Sequence, residues 1–105
     1  MQLSDLHFDA ARLAETCQRY HVTRLEAFGS FVSGHAEADS DLDLLVTFVP
    51  ETRIGLEFVA LQMELKALFA RPVDLLTRES VEHSPNKYFR RFALWRTQVL
   101  YERAA

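Results

Sequence analysis

Apolar residues spaced three or four positions apart predict three main helices along the chain. The spacing indicates helices over residues 9–20, 54–69 and 85–95. In the first, Cys17 lies on the apolar stripe, so we expect it to pack in the core. The second is apolar around most of its circumference, which predicts that the rest of the fold covers it. The third opens with Pro85, a residue suited to the first turn of a helix.

Short segments that are apolar or alternate between apolar and polar positions predict the strands. Strands are indicated over residues 22–28, 41–48, 73–77 and 97–101. The second is the strongest, because apolar residues alternate along its whole length until Pro50 ends it. The order of helices and strands predicts a small mixed sheet flanked by helices, which is an α/β or α+β domain.

Length and composition indicate a single globular domain over residues 1–105. Of the 105 residues, 49% are hydrophobic and 26% are charged, and the formal net charge is −3. The longest apolar runs are far shorter than the ~20 residues of a membrane span. The first nine residues contain no cationic stretch of the kind that opens a signal peptide. The single cysteine excludes an internal disulfide framework and a cysteine-based zinc site, so we expect a cytoplasmic protein without a membrane partner.

Charge is distributed unevenly along the sequence. Residues 1–52 carry three basic and nine acidic side chains, whereas residues 53–105 carry nine basic and six acidic ones. Residues 25–52 contain six acidic side chains and no lysine or arginine. A solvated acidic loop is the ordinary explanation of such a run. After His83, aromatic residues are interleaved with basic ones, which is typical of an amphipathic helix that turns its aromatic side chains inward.

Two aspartates stand two residues apart at the start of the strongest strand. Because successive side chains of a strand point to opposite faces, Asp41 and Asp43 project from the same face. A third acid, Asp74, interrupts the next apolar strand, where an unpaired carboxylate is costly. If the two strands are neighbours, the three side chains form a carboxylate cluster. Such oxygen ligands suit Mg²⁺, and two ions roughly 4 Å apart can stabilise the attacking and leaving oxygens of a phosphoryl displacement.

A glycine-serine turn precedes these acids. Gly29 and Ser30 follow a predicted strand and open a short helix, where backbone N–H groups and the serine hydroxyl can bind a phosphate. Gly34 permits the turn that returns the chain to Ser40 and Asp41. Each feature alone is weak evidence for a phosphate-binding site, since serine caps many helices. The glycine-serine turn followed in this order by the three acids is a much more specific pattern.

The combined motif resembles the signature of the DNA polymerase β-like nucleotidyltransferases. The matching segments are Phe28-Gly29-Ser30-Phe31-Val32-Ser33-Gly34, Ser40-Asp41-Leu42-Asp43-Leu44-Leu45-Val46 and Val73-Asp74-Leu75-Leu76-Thr77. The short chain is similar to the minimal nucleotidyltransferases, or MNT proteins, and the resemblance implies their fold. It also implies two sets of site residues: the nucleotide-binding Gly29, Ser30, Gly34 and Ser40, and the catalytic, magnesium-binding Asp41, Asp43 and Asp74.

The resemblance implies a reaction and partners as well. Members of the family transfer AMP from ATP to a hydroxyl acceptor and release pyrophosphate, with two Mg²⁺ ions in the site. By this resemblance Asp74 completes the metal site and helps to activate the acceptor. Members of this size often act as antitoxins that add AMP to a tyrosine of a HEPN-type ribonuclease toxin. The implied partners are therefore ATP and a HEPN-type toxin.

One position departs from the family pattern. The family commonly has an arginine just before the second glycine of the glycine-serine segment, whereas this chain has Ser33 there and no cation in residues 31–33. If that arginine steadies a phosphate, the departure predicts weaker nucleotide binding unless the basic C-terminal helix compensates.

Several alternatives stay open on the sequence alone. Asp74 could pair with Arg71 or Arg78, because buried charges are usually paired. Tyr88 and Trp95 are more often core residues than rings that stack on adenine. The chain could transfer a nucleotide to a small molecule, as antibiotic nucleotidyltransferases do, or inhibit a partner sterically without catalysis. The negative net charge argues against nucleic acid as a direct ligand, and the sequence does not decide whether the chain forms a homo-oligomer.

Overall fold

A four-stranded mixed sheet forms the centre of the fold. The computed structural model describes residues 1–103. The order of the strands across the sheet is β3-β2-β1-β4. β1 lies antiparallel to β2 and to β4, whereas β2 and β3 run parallel. The strands are β1 (Val22–Phe28), β2 (Leu42–Phe48), β3 (Val73–Thr77) and β4 (Gln98–Glu102).

Five α-helices and one short 3-10 helix accompany the sheet within residues 1–103. Three of the helix starts are fixed by side chains, because Asp9, Thr77 and Asn86 each accept hydrogen bonds from N–H groups of the following first turn. No helix in this part of the chain is long and apolar enough to cross a membrane. The helices are the 3-10 helix Leu3–Asp5, α1 (Ala10–Arg19), α2 (Ser30–Ser33), α3 (Leu56–Phe69), α4 (Arg78–Glu82) and α5 (Lys87–Leu94).

The two faces of the sheet pack against different helices. On one face, alternate residues of β2 are buried with apolar side chains of α1 and α3 in the larger core. On the other face lies a smaller cluster from β1, β2, α4 and α5, formed by Phe28, Leu45, Val81 and Ala93. Asp43 belongs to this second face, because it lies one residue from Leu42 and Leu44 of the larger core.

The predicted fold class is confirmed, and the strands are recovered almost residue for residue. β1 and β3 have the predicted bounds, while β2 and β4 each begin one residue later than expected. Register is strongly specified here, because a slip of one residue would exchange the side chains that pack on the two faces of the sheet. Cys17 is fully buried, as expected, and burial raises the pKa of its thiol to about 12.

Two expectations for the helices are wrong. α3 is not covered all round, because three of its side chains are 86%, 54% and 66% exposed, namely Leu56, Val59 and Met63. The sheet offers α3 a single face, so only one side of the helix is buried. Pro85 lies outside α5, which begins at Lys87 after the cap residue Asn86. The side chain of Asn86 accepts hydrogen bonds from the first N–H groups of α5. Asn86, rather than Pro85, therefore fixes the start of the helix.

Candidate active site

Three aspartates lie together on one face of the sheet, near the start of β2. The strand register pairs Asp43 of β2 with Asp74 of β3 and with Phe28 of β1. Paired residues of neighbouring strands point to the same face and lie about 4.8 Å apart. Asp41 precedes Asp43 by two residues, on the same face, and its charge reaches Asp43. The structure therefore brings together the three acids that the sequence identifies.

Repulsion among these carboxylates is not compensated by a basic side chain. Burial, followed by the charges of Asp74 and Asp41, raises the pKa of Asp43 from 3.8 to about 6. Within residues 1–103, none of the three carboxylates forms an ion pair or accepts a hydrogen bond. Asp43 is partly buried, whereas Asp41 and Asp74 are exposed. A bound cation would relieve this repulsion.

Neither Arg71 nor Arg78 forms an ion pair with Asp74 in the described residues, so that alternative is wrong. Nη1 of Arg78 lies 2.7 Å from Oε2 of Glu26, and the hydroxyl of Thr97 donates to the same carboxylate. Glu26 lies on β1 opposite Leu45, on the same face of the sheet as the aspartates. The fold thus compensates a fourth carboxylate on this face while it leaves the three aspartates without a partner.

Arg71 holds the loop that leads to Asp41. Its Nη1 donates to the carbonyl oxygens of Ala38 and Ser40 at 3.4 and 3.1 Å, and its guanidinium carbon lies 4.7 Å from the centroid of the Phe31 ring. One side chain therefore ties the turn before β3 to α2 and to the loop before β2. From the sequence alone, Arg71 is visible only as a candidate partner of Asp74, because these contacts join residues 31 and 33 positions apart.

Gly29 allows the backbone to approach the carboxylate of Asp43. Its φ is 76°, in the region that favours glycine, and a Cβ atom at this position would overlap the carboxylate group. α2 begins directly after Gly29. The carbonyl oxygen of Ser30 accepts a hydrogen bond from the hydroxyl of Ser33, whereas the hydroxyl of Ser30 has no partner within residues 1–103. The glycine-serine turn is thus placed beside the acids with a free hydroxyl.

The other two predicted nucleotide-binding residues shape the loop between α2 and β2. Gly34 ends α2 in the left-handed conformation, with φ at 85°. Oγ of Ser40 accepts a hydrogen bond from the N–H of Glu37 at 2.8 Å. This bond closes the turn just before Asp41 and leaves the hydroxyl hydrogen of Ser40 free to donate.

An open cleft of about 610 Å³ begins at Gly29 and runs between α2 and the C-terminal helix. Its second wall carries two rings that are 75% and 74% exposed, Tyr88 and Trp95. The expectation that these rings belong to the core is therefore wrong, and Phe92 is likewise 60% exposed. The small cluster on this face is closed by Ala93, so α5 needs only one narrow side for packing and turns its larger rings to the cleft.

The oxygen donors have the chemistry of a magnesium site that a substrate completes. Within the described residues, no three histidine, cysteine, aspartate or glutamate side chains are arranged to hold a metal ion by themselves. Mg²⁺ is usually bound through one or two carboxylates, with substrate phosphates and waters as its other ligands. Asp41 and Asp43, beside the turn at Gly29 and Ser30, fit that pattern.

Replacing Asp43 with asparagine is expected to stabilise the metal-free protein at neutral pH. The pKa of Asp43 is higher in the folded than in the unfolded chain, so its ionisation opposes folding above pH 6 and ceases to do so below pH 3.8. In EDTA at pH 7.5, we expect D43N to gain about 1 kcal/mol in the free energy of unfolding, after discounting for solvent screening. At pH 4 most of this gain should vanish. Urea denaturation at both pH values measures it.

Asp39→Asn provides the control, because Asp39 is an exposed acid in the neighbouring loop. It should leave the stability unchanged at both pH values. If D43N were less stable than wild type at pH 7.5, the claim that repulsion among the carboxylates destabilises the metal-free protein would be contradicted.

Replacing Arg71 with methionine is expected to loosen the loop before Asp41. Methionine keeps apolar contact with Phe31 but removes the donors to Ala38 and Ser40. Loss of about 1 kcal/mol of hydrogen bonding corresponds to roughly fivefold faster amide exchange in residues 38–41, measured by hydrogen exchange and mass spectrometry. The exposed Arg53→Met is the control. Unchanged exchange in residues 38–41 would show that Arg71 does not hold the loop.

Comparison with known proteins places the chain in a family. The model of the family described as "Nucleotidyltransferase domain" matches residues 11–100. The chain is also 39% identical over 72 residues to the protein adenylyltransferase MntA of Thermococcus cleftensis, which spans 69% of this chain and 72% of that protein. This confirms the resemblance that the glycine-serine and aspartate motifs indicate.

Solved structures agree with the family at the level of the fold. The crystal structure of a toxin-antitoxin with AMP-PNP superposes with a TM-score of 0.67 at 16% identity, covering 90% of this chain and 74% of that chain. A structure assigned to the minimal nucleotidyltransferases superposes with a TM-score of 0.60 at 32% identity, covering 87% and 95% respectively. The chain therefore belongs to the nucleotidyltransferase domain family and is a homologue of the MntA protein adenylyltransferase.

Proposed function

We propose that this nucleotidyltransferase is a magnesium-dependent protein adenylyltransferase that acts as an antitoxin. The observation that carries the proposal is the set of three unpaired carboxylates, Asp41, Asp43 and Asp74, beside the turn at Gly29 and Ser30. The homologue from Thermococcus cleftensis is a protein adenylyltransferase. Structures with the same fold come from toxin-antitoxin pairs, one of them with AMP-PNP. These relatives support ATP as the substrate and a toxin as the partner.

Each residue of the motif has a role in the proposed reaction. The free hydroxyl of Ser30 and the backbone after Gly29 bind the phosphate chain, and Gly34 and Ser40 hold the loop in place. Asp41 and Asp43 would bind Mg²⁺, up to two ions, together with phosphate oxygens. When bound, Mg²⁺ neutralises the charge that builds up on the phosphate oxygens.

The transfer itself is a displacement at the α-phosphorus of ATP. The acceptor hydroxyl oxygen forms a bond to this phosphorus as the bond to the oxygen of the β-phosphate breaks. Pyrophosphate leaves with that electron pair, and the hydroxyl proton passes to a carboxylate. Asp74 lies next to Asp43 on the neighbouring strand and is exposed. In the proposal it completes the metal site and helps to activate the acceptor by receiving the proton.

We propose a tyrosine of a HEPN-type toxin as the acceptor. The three acids lie at an exposed end of the sheet, so a side chain of a second protein can reach Asp74. In the proposal, the surface of the toxin around the acceptor tyrosine supplies the remaining contacts.

Transfer of label from ATP carrying ³²P at the α-phosphate tests the proposed function. Purified protein is incubated with Mg²⁺ and an extract of the source cells. Wild type is expected to label a protein band, and Asp41→Asn with Asp43→Asn should reduce labelling about 1,000-fold or more, because several kcal/mol of charge stabilisation are lost.

Asp39→Asn is the matched control and should label at the wild-type rate. Mass spectrometry of the labelled band then identifies the acceptor residue. Undiminished labelling by the double variant would overturn the metal assignment. Label on a small molecule alone would overturn the protein acceptor.

A further inference from the structure

Two arginines line the cleft between α2 and α5 without an acidic partner. Arg91 and Arg96 are both exposed and both belong to the wall of the cleft. Neither forms an ion pair within residues 1–103, although three other arginines do: Arg19, Arg24 and Arg78. The opposite wall includes Ser30, Ser33 and His35 and carries no lysine or arginine. The cleft therefore presents uncompensated positive charge to whatever enters it.

The glycine-serine turn separates this positive charge from uncompensated negative charge. Gly29 forms part of the cleft wall and also packs directly against the carboxylate of Asp43. A ligand that satisfies both sides must be anionic in the cleft and must bind the carboxylates through a cation. A polyphosphate chain carrying a divalent metal at one end has this distribution of charge. Guanidinium groups are well suited to the other end, because they bind phosphate oxygens through paired N–H donors.

We propose that Arg91 and Arg96 bind the β- and γ-phosphates of the nucleotide. The inference rests on the proposed function and deepens it, because it identifies the residues that hold the pyrophosphate leaving group. The α-phosphate then lies at the carboxylates, and the rest of the chain of phosphates extends past Ser30 into the cleft. The two arginines supply, from the C-terminal helix and the residues that follow it, the positive charge that the segment from Phe31 to Ser33 lacks.

The aromatic rings of the same cleft define a competing occupant. Tyr88, Phe92 and Trp95 could stack on a nucleobase instead. In that case adenosine alone would bind in the cleft, and the arginines would contribute little. Most of the lining of the cleft is apolar, as a base requires, whereas the two guanidinium groups and the adjoining serine hydroxyls offer hydrogen-bond donors to oxygen anions. The test therefore compares the two occupants directly.

Binding of inorganic tripolyphosphate tests the proposal without any need for catalysis. Isothermal calorimetry in the presence of Mg²⁺ measures the affinity of wild type, of Arg91→Gln, of Arg96→Gln and of the double variant. Trp95 is the single tryptophan of the chain, so its fluorescence reports whether the cleft itself is occupied. Lys87→Gln is the control, since it removes the same charge from the same helix at a position outside this cleft.

We expect each single variant to bind tripolyphosphate about tenfold more weakly and the double variant about 100-fold more weakly. Lys87→Gln should bind like wild type, and adenosine should bind none of the proteins measurably. Unchanged tripolyphosphate affinity in the double variant would overturn the proposal. The proposal would also be overturned if adenosine changed the fluorescence of Trp95 and bound the arginine variants as tightly as wild type.

The outcomes separate this proposal from the proposed function. If wild type transfers AMP while the double variant binds tripolyphosphate normally, the arginine assignment fails and the function stands. If wild type binds tripolyphosphate through the arginines but transfers no AMP, the assignment stands and the adenylyltransferase activity fails.

Discussion

The cluster of unpaired carboxylates at the start of β2 is the constraint on which the rest of the site depends. Parallel pairing of β2 with β3 sets Asp43 beside Asp74, and the pleat of the strand adds Asp41 to the same face. The resulting repulsion raises the pKa of Asp43. Such an arrangement costs stability in the absence of a cation, and proteins retain costs of this kind mainly at functional sites.

The neighbouring basic residues explain why the acids remain unpaired. Arg78 is occupied by Glu26 on the same face, and Arg71 is occupied by the loop carbonyls of Ala38 and Ser40. Each of these arginines stands near enough in sequence to Asp74 to be its partner, yet each is held elsewhere. The fold thus uses its nearby cations to position the elements of the site and keeps the aspartates available for a ligand.

Much of the fold and of the acidic site could be predicted, because both follow from local patterns. The alternation of period two locates β2, and the same rule suffices to place Asp41 and Asp43 on one face of a strand. The short, mostly apolar segments of β1 and β3, each bounded by residues typical of turns or helix ends, are equally local signals. That Asp74 joins them follows once the two strands are taken as neighbours. The turn at Gly29 could be predicted for a similar reason, since a glycine directly after a strand favours a turn with positive φ.

What could not be predicted depends on contacts between distant residues. The role of Arg71 arises from carbonyl groups more than 30 positions away. The rings of Tyr88 and Trp95 are exposed rather than buried in the core, since amphipathic spacing shows which residues share a helix face but not what covers that face. The apolar circumference of α3 is misleading for the same reason, as the sheet covers only one side of the helix.

The pKa of Asp43 with and without Mg²⁺ tests the central claim most directly. Carboxyl carbon NMR of the labelled protein follows this single side chain through a pH titration. We expect Asp43 to have a pKa of about 6 in EDTA and a pKa well below 4 when Mg²⁺ and a nucleotide are bound, because the metal charge favours the ionised form. A pKa near 3.8 that is the same in both conditions would contradict the claim that the three carboxylates form a cation site.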